Sequence, residues 1–193
     1  MKRQQQLLLI GSTLAFSWLA MQAVHELGHV VGAMVSGGRV AEVLLHPASI
    51  SYTRLAVNPH PLFVVWTGPV VGVLLPLMVL LIARWIDWRA TYLIQFFAGF
   101  CLVANGCYLA FGSFSRVGDA GDTMRHGTPM WLLWLFGLIT IPSGLWLWNG
   151  LGSHFGLGKN PASVAPVHAY SMVGLLCLVA SAELVVSWLT AAP

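Results

Sequence analysis

Three residues in the first sixth of the chain have the types and the spacing that could do chemistry. His25 and His29 are four residues apart, and Glu26 follows the first histidine, which gives an H-E-x-x-H pattern. On an α-helix, positions i and i+4 lie on one face, so both imidazoles can share a metal ion with the glutamate beside it. The pattern predicts a zinc site with His25 and His29 as ligands and Glu26 as a general base acting on water.

The surroundings of this pattern favour a metal site over a chance match that leaves two satisfied core histidines. Between residues 7 and 38 the only Asp, Glu, Lys or Arg is Glu26. An ionisable group at membrane depth costs about 2.5–3.5 kcal/mol on insertion scales, and a bound divalent cation would compensate that cost. Gly28 and Gly32 form a small-x-x-x-small pair, which predicts that a neighbouring helix approaches the pattern closely.

The composition is that of an integral membrane protein. The 193 residues are 58% hydrophobic and 8% charged, whereas soluble domains carry about 25% charged residues. We therefore expect a single membrane-embedded domain over residues 1–193 with the lipid bilayer around it. Nucleic acid is not expected as a partner, because the basic residues are scattered and form no run. Three cysteines lie in apolar segments and are expected to be neither a disulfide nor a zinc cluster: Cys101, Cys107 and Cys177.

Five apolar segments are long enough to cross a hydrocarbon core of about 30 Å. Lys2 and Arg3 before the first segment resemble the start of a secretory signal peptide. The apolar helical pattern continues to Gly37, however, so we expect this segment to remain as the first span. The sequence predicts an all-α polytopic membrane protein with about five transmembrane helices, at residues 7–36, 61–85, 91–111, 130–148 and 169–189.

A different pattern separates the first two spans. Residues 40–45 and 50–57 are rich in β-branched and aromatic residues, alternate in part, and are separated by residues 46–49. This pattern predicts a small β-hairpin, with an irregular loop as the alternative. A hairpin at the membrane surface would expose an edge to which an extended peptide can add as a strand.

A catalytic zinc site has three protein ligands and one open position, so a third ligand is needed. Asp119 and Asp122 follow the third span, which ends on the same side of the membrane as the first. The register of the following apolar residues favours Asp119, and neighbouring glycines allow close packing there. Asp122 remains an alternative ligand, or a second-sphere partner if the segment is helical. His126 is a candidate auxiliary ligand.

Taken together, these features resemble the site-2 protease family of intramembrane zinc metalloproteases. The resemblance rests on residues 25–29 at the end of a span, the hairpin-like insert, Gly68-Pro69 early in the next span, and the aspartate motif two spans later. It covers roughly residues 7–127 and leaves residues 128–193 as additional C-terminal spans. The resemblance implies a membrane-embedded helical core that hydrolyses peptide bonds of transmembrane protein substrates. Two histidines and a downstream aspartate would bind Zn²⁺, and Glu26 would activate water.

The chain departs from the family pattern at two places. Residues 119–122 read Asp-Ala-Gly-Asp, where the family often has a proline-rich run and an Asp-Gly pair. Asn105 lies further from the aspartate than the family's asparagine does. Its two candidate roles are therefore substrate positioning and an interhelical hydrogen bond, of which the second is favoured.

A second function class uses the same polar residues without catalysis. A polytopic protein that handles metal ions or protons would use the two histidines, Asp119, Asp122 and the intramembrane Glu183. It predicts further carboxylates along one pathway and an internal repeat, and the sequence has neither. Glu183 has no predicted partner and is left outside the site. A third alternative, an inactive relative that binds membrane clients, is disfavoured by the intact Glu26. Because no peptide-binding domain is recognised, a regulatory membrane partner is expected to select substrates.

Overall fold

The computed structural model describes residues 2–191, most of which are helical. A two-stranded sheet follows the first helix, and a short 3-10 helix, Leu151–Phe155, precedes the last. The helices are α1 (Lys2–Val35), α2 (Pro61–Trp85), α3 (Thr91–Ser115), α4 (Gly118–Arg125), α5 (Met130–Trp148) and α6 (Pro166–Ala191), and the strands are β1 (Arg39–Leu44) and β2 (Tyr52–Val57). The predicted all-α fold with a small hairpin insert is confirmed.

Five of the helices in this part of the chain, α1, α2, α3, α5 and α6, are long and apolar enough to cross a membrane. This finding is consistent with a multi-pass membrane protein, and it confirms the predicted number of spans. Helices α2 and α5 have the predicted bounds, whereas α1 begins earlier, at Lys2, and α3 continues to Ser115. The reason is that backbone hydrogen bonding continues through polar residues at which an apolar pattern already stops.

The residues between α1 and α2 form the predicted β-hairpin. Its strands are antiparallel, with Val43 opposite Thr53 and Leu44 opposite Tyr52. The pairing shifts register between Val40 and Glu42, as a β-bulge does. Both strands contact α1, and β1 also contacts α6. The hairpin therefore lies against the helix that carries the H-E-x-x-H pattern.

Helix α2 packs closely against the face of α1 that carries the pattern. A Cβ atom placed on Gly28 would lie 2.8 Å from the Cα of Gly68, and one on Gly32 would lie 2.9 Å from the Cβ of Thr67. Real Cβ atoms do not come this close, so the predicted close approach at Gly28 and Gly32 is confirmed. As a consequence, the backbone of α2 borders directly on His29.

Helix α6 runs in the same direction as α1. Near its start, Ala169 and Met172 pack in one cluster with Leu9 of α1. Further along, α6 reaches β1, which follows the other end of α1. The long final helix thus lies along α1.

Candidate metal centre

The structure brings His25 and His29 of α1 together with Asp119 of α4. The two Nε2 atoms are 3.1 Å apart, and the Asp119 Oδ2 atom lies 2.7 Å from His25 Nε2 and 3.2 Å from His29 Nε2. Both histidines are buried, and Asp119 is half-buried. One potential ligand atom from each residue lies within 4.8 Å of the others, so the three residues form a group that can hold a metal ion.

The other ring nitrogen of each histidine is engaged by an oxygen atom. His25 Nδ1 lies 2.7 Å from Oδ1 of Asn105, and His29 Nδ1 lies 2.9 Å from the backbone oxygen of Val64. Because these oxygens can only accept, each Nδ1 carries a proton. Without a metal, a proton on Nε2 can make the hydrogen bond with Asp119, and in the absence of that proton the Nε2 lone pair is available to a metal. This arrangement is typical of histidine ligands.

The hydrogen bond between Asn105 of α3 and His25 of α1 is the interhelical bond that the sequence predicts for this asparagine. Its Nδ2 atom donates to the backbone oxygen of Cys101 at 2.9 Å, one turn back in α3. That bond fixes which end of the amide faces His25. Asn105 is 1% exposed, and it acts on the candidate ligand His25 from a separate helix.

A sharp turn between α3 and α4 places Asp119. Arg116, which follows the last residue of α3, has φ of 54°, and Gly118 has φ of 53°. Both values lie in the left-handed region. The Asp119 backbone N–H then donates to the Tyr108 hydroxyl at 3.2 Å. The sequence did not predict Tyr108 as a residue of the site. Its only signal was its position three residues after Asn105, which puts both on one face of α3.

The environment of Asp119 favours its charged form. Burial raises the pKa of this carboxyl, but its hydrogen bonds with His25 and His29 lower the pKa by more, so that it lies well below the usual range. Asp119 is therefore ionised at neutral pH and can serve as an anionic ligand.

Asp122 and His126 are not brought into this group. Asp122 Oδ1 accepts a hydrogen bond from Arg125 Nη1 at 2.6 Å; the Arg125 side chain is 74% exposed and the Asp122 side chain 45%. His126 follows the end of α4 and is exposed. A position three residues further along α4 is shifted by about 4.5 Å along the axis. Asp122 borders the cavity described below, and its hydrogen bond is with Arg125 and not with His25, His29 or Asp119.

Glu26 is held by the hairpin. It is 4% exposed, and its two oxygens accept hydrogen bonds from Ser51 Oγ at 2.8 Å and from Thr53 Oγ1 at 2.6 Å. The sequence did not predict Ser51 and Thr53 as contacts of Glu26. The sequence offered only a weak indication of this contact. Residues at i and i+2 of an extended segment lie on one side of it, and both of these residues are small and polar.

A cavity of about 620 Å³ opens onto the group. This volume is in the range of small-ligand sites, about 300–1,000 Å³. Side chains from α1, the hairpin, α3 and α4 line it, among them His25, Glu26, His29, Ser51, Thr53, Tyr108, Asp119 and Asp122. A bound molecule can therefore reach the metal-binding group and Glu26 at once.

Comparisons of the chain with protein-family models, with curated proteins and with solved structures found no match. What the site can do follows from its own groups. These are two imidazole nitrogens that can bind a metal when they are not protonated, one carboxylate oxygen, and a separate buried carboxyl facing the same cavity.

Proposed function

We propose that this chain is an intramembrane zinc metalloprotease that hydrolyses peptide bonds of membrane-spanning or membrane-adjacent proteins. The observation that carries the proposal is the convergence of His25, His29 and Asp119 beside Glu26, among helices apolar enough to cross a membrane. The resemblance of residues 7–127 to the site-2 protease family supports the same activity.

The donor set fits zinc. Two imidazole nitrogens and one carboxylate oxygen are a frequent kind of ligand set for catalytic zinc, with a fourth position left open. Tetrahedral ligands at about 2.0–2.1 Å from zinc lie about 3.3 Å from one another. The three atoms here are separated by 2.7 to 3.2 Å, so small outward shifts would admit the ion. Zinc would supply Lewis acidity, which polarises a carbonyl oxygen and lowers the pKa of water.

The remaining steps belong to residues of the chain. Glu26, which borders the same cavity as the ligands, accepts a proton from the attacking water. It then returns that proton to the leaving amine as the C–N bond breaks. Asn105 and the carbonyl of Val64 keep the two imidazoles oriented throughout.

The hairpin offers a way to hold the substrate. A helical substrate hides its amide groups in hydrogen bonds, so it must unwind locally before it is cut. Residues 51–55, which include most of β2, line the cavity, and an extended segment paired with a strand would keep its amides in reach of Glu26. We also propose that a regulatory membrane partner selects the substrates.

The rival function, transport of metal ions or protons, gains no support from the arrangement of carboxylates. Glu183 lies on α6 and is not among the residues that line the cavity with Glu26, Asp119 and Asp122. A liposome flux assay for zinc and protons separates the two functions, because a protease gives cleavage without flux.

The test uses purified protein reconstituted in liposomes with labelled single-span peptides that carry helix-breaking residues. We expect one zinc per chain by elemental analysis and a product that mass spectrometry maps to the span or its edge. Glu26→Gln should retain zinc and lose cleavage by about 10²–10⁴-fold, the usual contribution of general acid–base catalysis. His25→Ala should lose zinc.

The matched control is Glu183→Gln, since Glu183 is an equally buried carboxyl on an apolar helix and does not line the cavity. It should behave as the wild type does. Undiminished cleavage by Glu26→Gln, or a wild-type protein that binds no zinc, would remove the proposal.

A further inference from the structure

The segment that enters β2 lies over Glu26 and is tied to α1 at three points. Ser51 Oγ and Thr53 Oγ1 donate to different oxygens of the Glu26 carboxyl. The backbone N–H of Ser51 donates to Oε1 of Gln22 at 3.0 Å. Gln22 lies one helical turn before Glu26, so α1 fixes both the segment and the carboxyl that the segment contacts.

Alternation along the strand directs these hydroxyls to the site. Ser51 and Thr53 are half-buried, whereas Tyr52 between them is exposed. The Tyr52 hydroxyl donates to Glu42 at 3.0 Å, on the other side of the hairpin. One short segment therefore presents two hydroxyls to Glu26 and a third, chemically similar, to a different glutamate.

Ser and Thr hydroxyls suit a carboxyl that changes its protonation state. A hydroxyl can donate, and after rotation it can accept. While Glu26 is charged, both hydroxyls donate to it. When Glu26 holds the proton taken from water, one hydroxyl can turn and accept. The polar contacts of the buried carboxyl are thus kept in both states, at a depth where a lost partner is costly.

We infer that Ser51 and Thr53 are positioning residues that hold the Glu26 carboxyl in orientation for proton transfer. The inference rests on the proposed function and adds to it the group that aims the base. It assigns the hairpin a second task besides holding the substrate.

The first measurement needs no activity. Infrared difference spectra between each protein and its own Glu26→Gln variant isolate the carboxyl bands of Glu26. We expect these bands to shift in Ser51→Ala/Thr53→Val and to return in Ser51→Ala/Thr53→Ser to a position closer to the wild type. They should stay unchanged in the matched control Ser49→Ala, which removes an exposed hydroxyl of the same hairpin that does not line the cavity. Unchanged bands in Ser51→Ala/Thr53→Val would overturn the inference.

The second measurement is cleavage of the labelled single-span peptides by the same zinc-loaded variants. We expect Ser51→Ala/Thr53→Val to lower kcat about tenfold or more with little change in KM, zinc content or thermal midpoint. Ser51→Ala/Thr53→Ser should recover kcat toward the wild-type value, and Ser49→Ala should match the wild type. If Glu26→Gln is inactive, a kcat within twofold of the wild type in Ser51→Ala/Thr53→Val would overturn this inference and leave the proposed function standing. Failure of the wild type to cleave, or cleavage that survives Glu26→Gln, would overturn the proposed function and this inference together.

Discussion

Glu26 and Glu183 are both carboxyl residues on apolar helices, and each is 4% exposed, but their surroundings differ. Both oxygens of Glu26 accept hydroxyl hydrogen bonds, and a metal-binding group lies across the same cavity. Neither oxygen of Glu183 has a hydrogen-bond partner among residues 2–191. A buried carboxyl in a span therefore does not make a site by itself. The site around Glu26 exists because the hairpin, α2, α3 and α4 each bring polar groups to α1.

The largest expected effect concerns the aspartate ligand. Asp119→Ala should abolish zinc binding, a greater loss than the 10–100-fold in affinity that typically follows loss of an outer partner. Asp122→Ala should keep zinc, because it removes only an exposed ion pair with Arg125. Zinc affinity, measured by competition with a chelator, checks both variants. Loss of zinc in Asp122→Ala and its retention in Asp119→Ala would reverse the assignment.

The close contact between α1 and α2 gives the next largest effect. A Cβ on Gly68 would lie 2.9 Å from Cδ2 of His29 and closer still to other atoms of that ring. Gly68→Ala should therefore displace the imidazole and lower zinc affinity by at least about tenfold. Gly11→Ala is the matched control, since a Cβ on Gly11 of α1 meets nothing within 4 Å. Equal zinc affinity in the two variants would show that this contact does not place His29.

The next prediction concerns Asn105, which contacts the candidate ligand His25. Asn105→Leu removes the oxygen that accepts from His25 Nδ1, so zinc affinity should fall by about 10–100-fold. Asn149→Leu, at an exposed position after α5, should leave zinc affinity unchanged. Chelator competition again reports the effect. Full affinity in Asn105→Leu would mean that His25 keeps its orientation without this bond.

The smallest effect is expected at Glu183. Glu183→Leu removes a buried carboxyl without a partner in the described chain, so it should raise stability by about 1–3 kcal/mol. Cleavage should stay within twofold of the wild type. Thermal denaturation in detergent, together with the peptide assay, measures both quantities. A lower thermal midpoint or lost cleavage would show that Glu183 has a role comparable to that of Glu26.

Much of the fold could be predicted because its signals are local. Apolar segment length gave the five spans, and β-branched alternation gave the hairpin. The close approach at Gly28 and Gly32 also followed from spacing along one helix. The predicted ends agree with the structure for α2 and α5 but not for the other three long helices, and the 3-10 helix, Leu151–Phe155, lies outside the predicted segments.

The part of the site that a local pattern predicted is the part whose residues are neighbours in sequence, whereas Asp119 was favoured only by comparison with Asp122. His25, Glu26 and His29 were found because helical periodicity puts them together. Tyr108, Ser51 and Thr53 were missed, since ordinary polar residues near apolar segments carry no chemical signal until their partners are known.

By itself the sequence determined five segments long and apolar enough to cross a membrane and an H-E-x-x-H pattern on the first of them, since composition and periodicity are properties of neighbouring residues. Only the tertiary structure decided that Asp119, and not Asp122, joins the histidines, and that Asn105 and the hairpin hydroxyls serve His25 and Glu26. The reason is that these contacts join residues 25 to 94 positions apart. Such contacts depend on how whole helices and the hairpin pack, which no local pattern specifies.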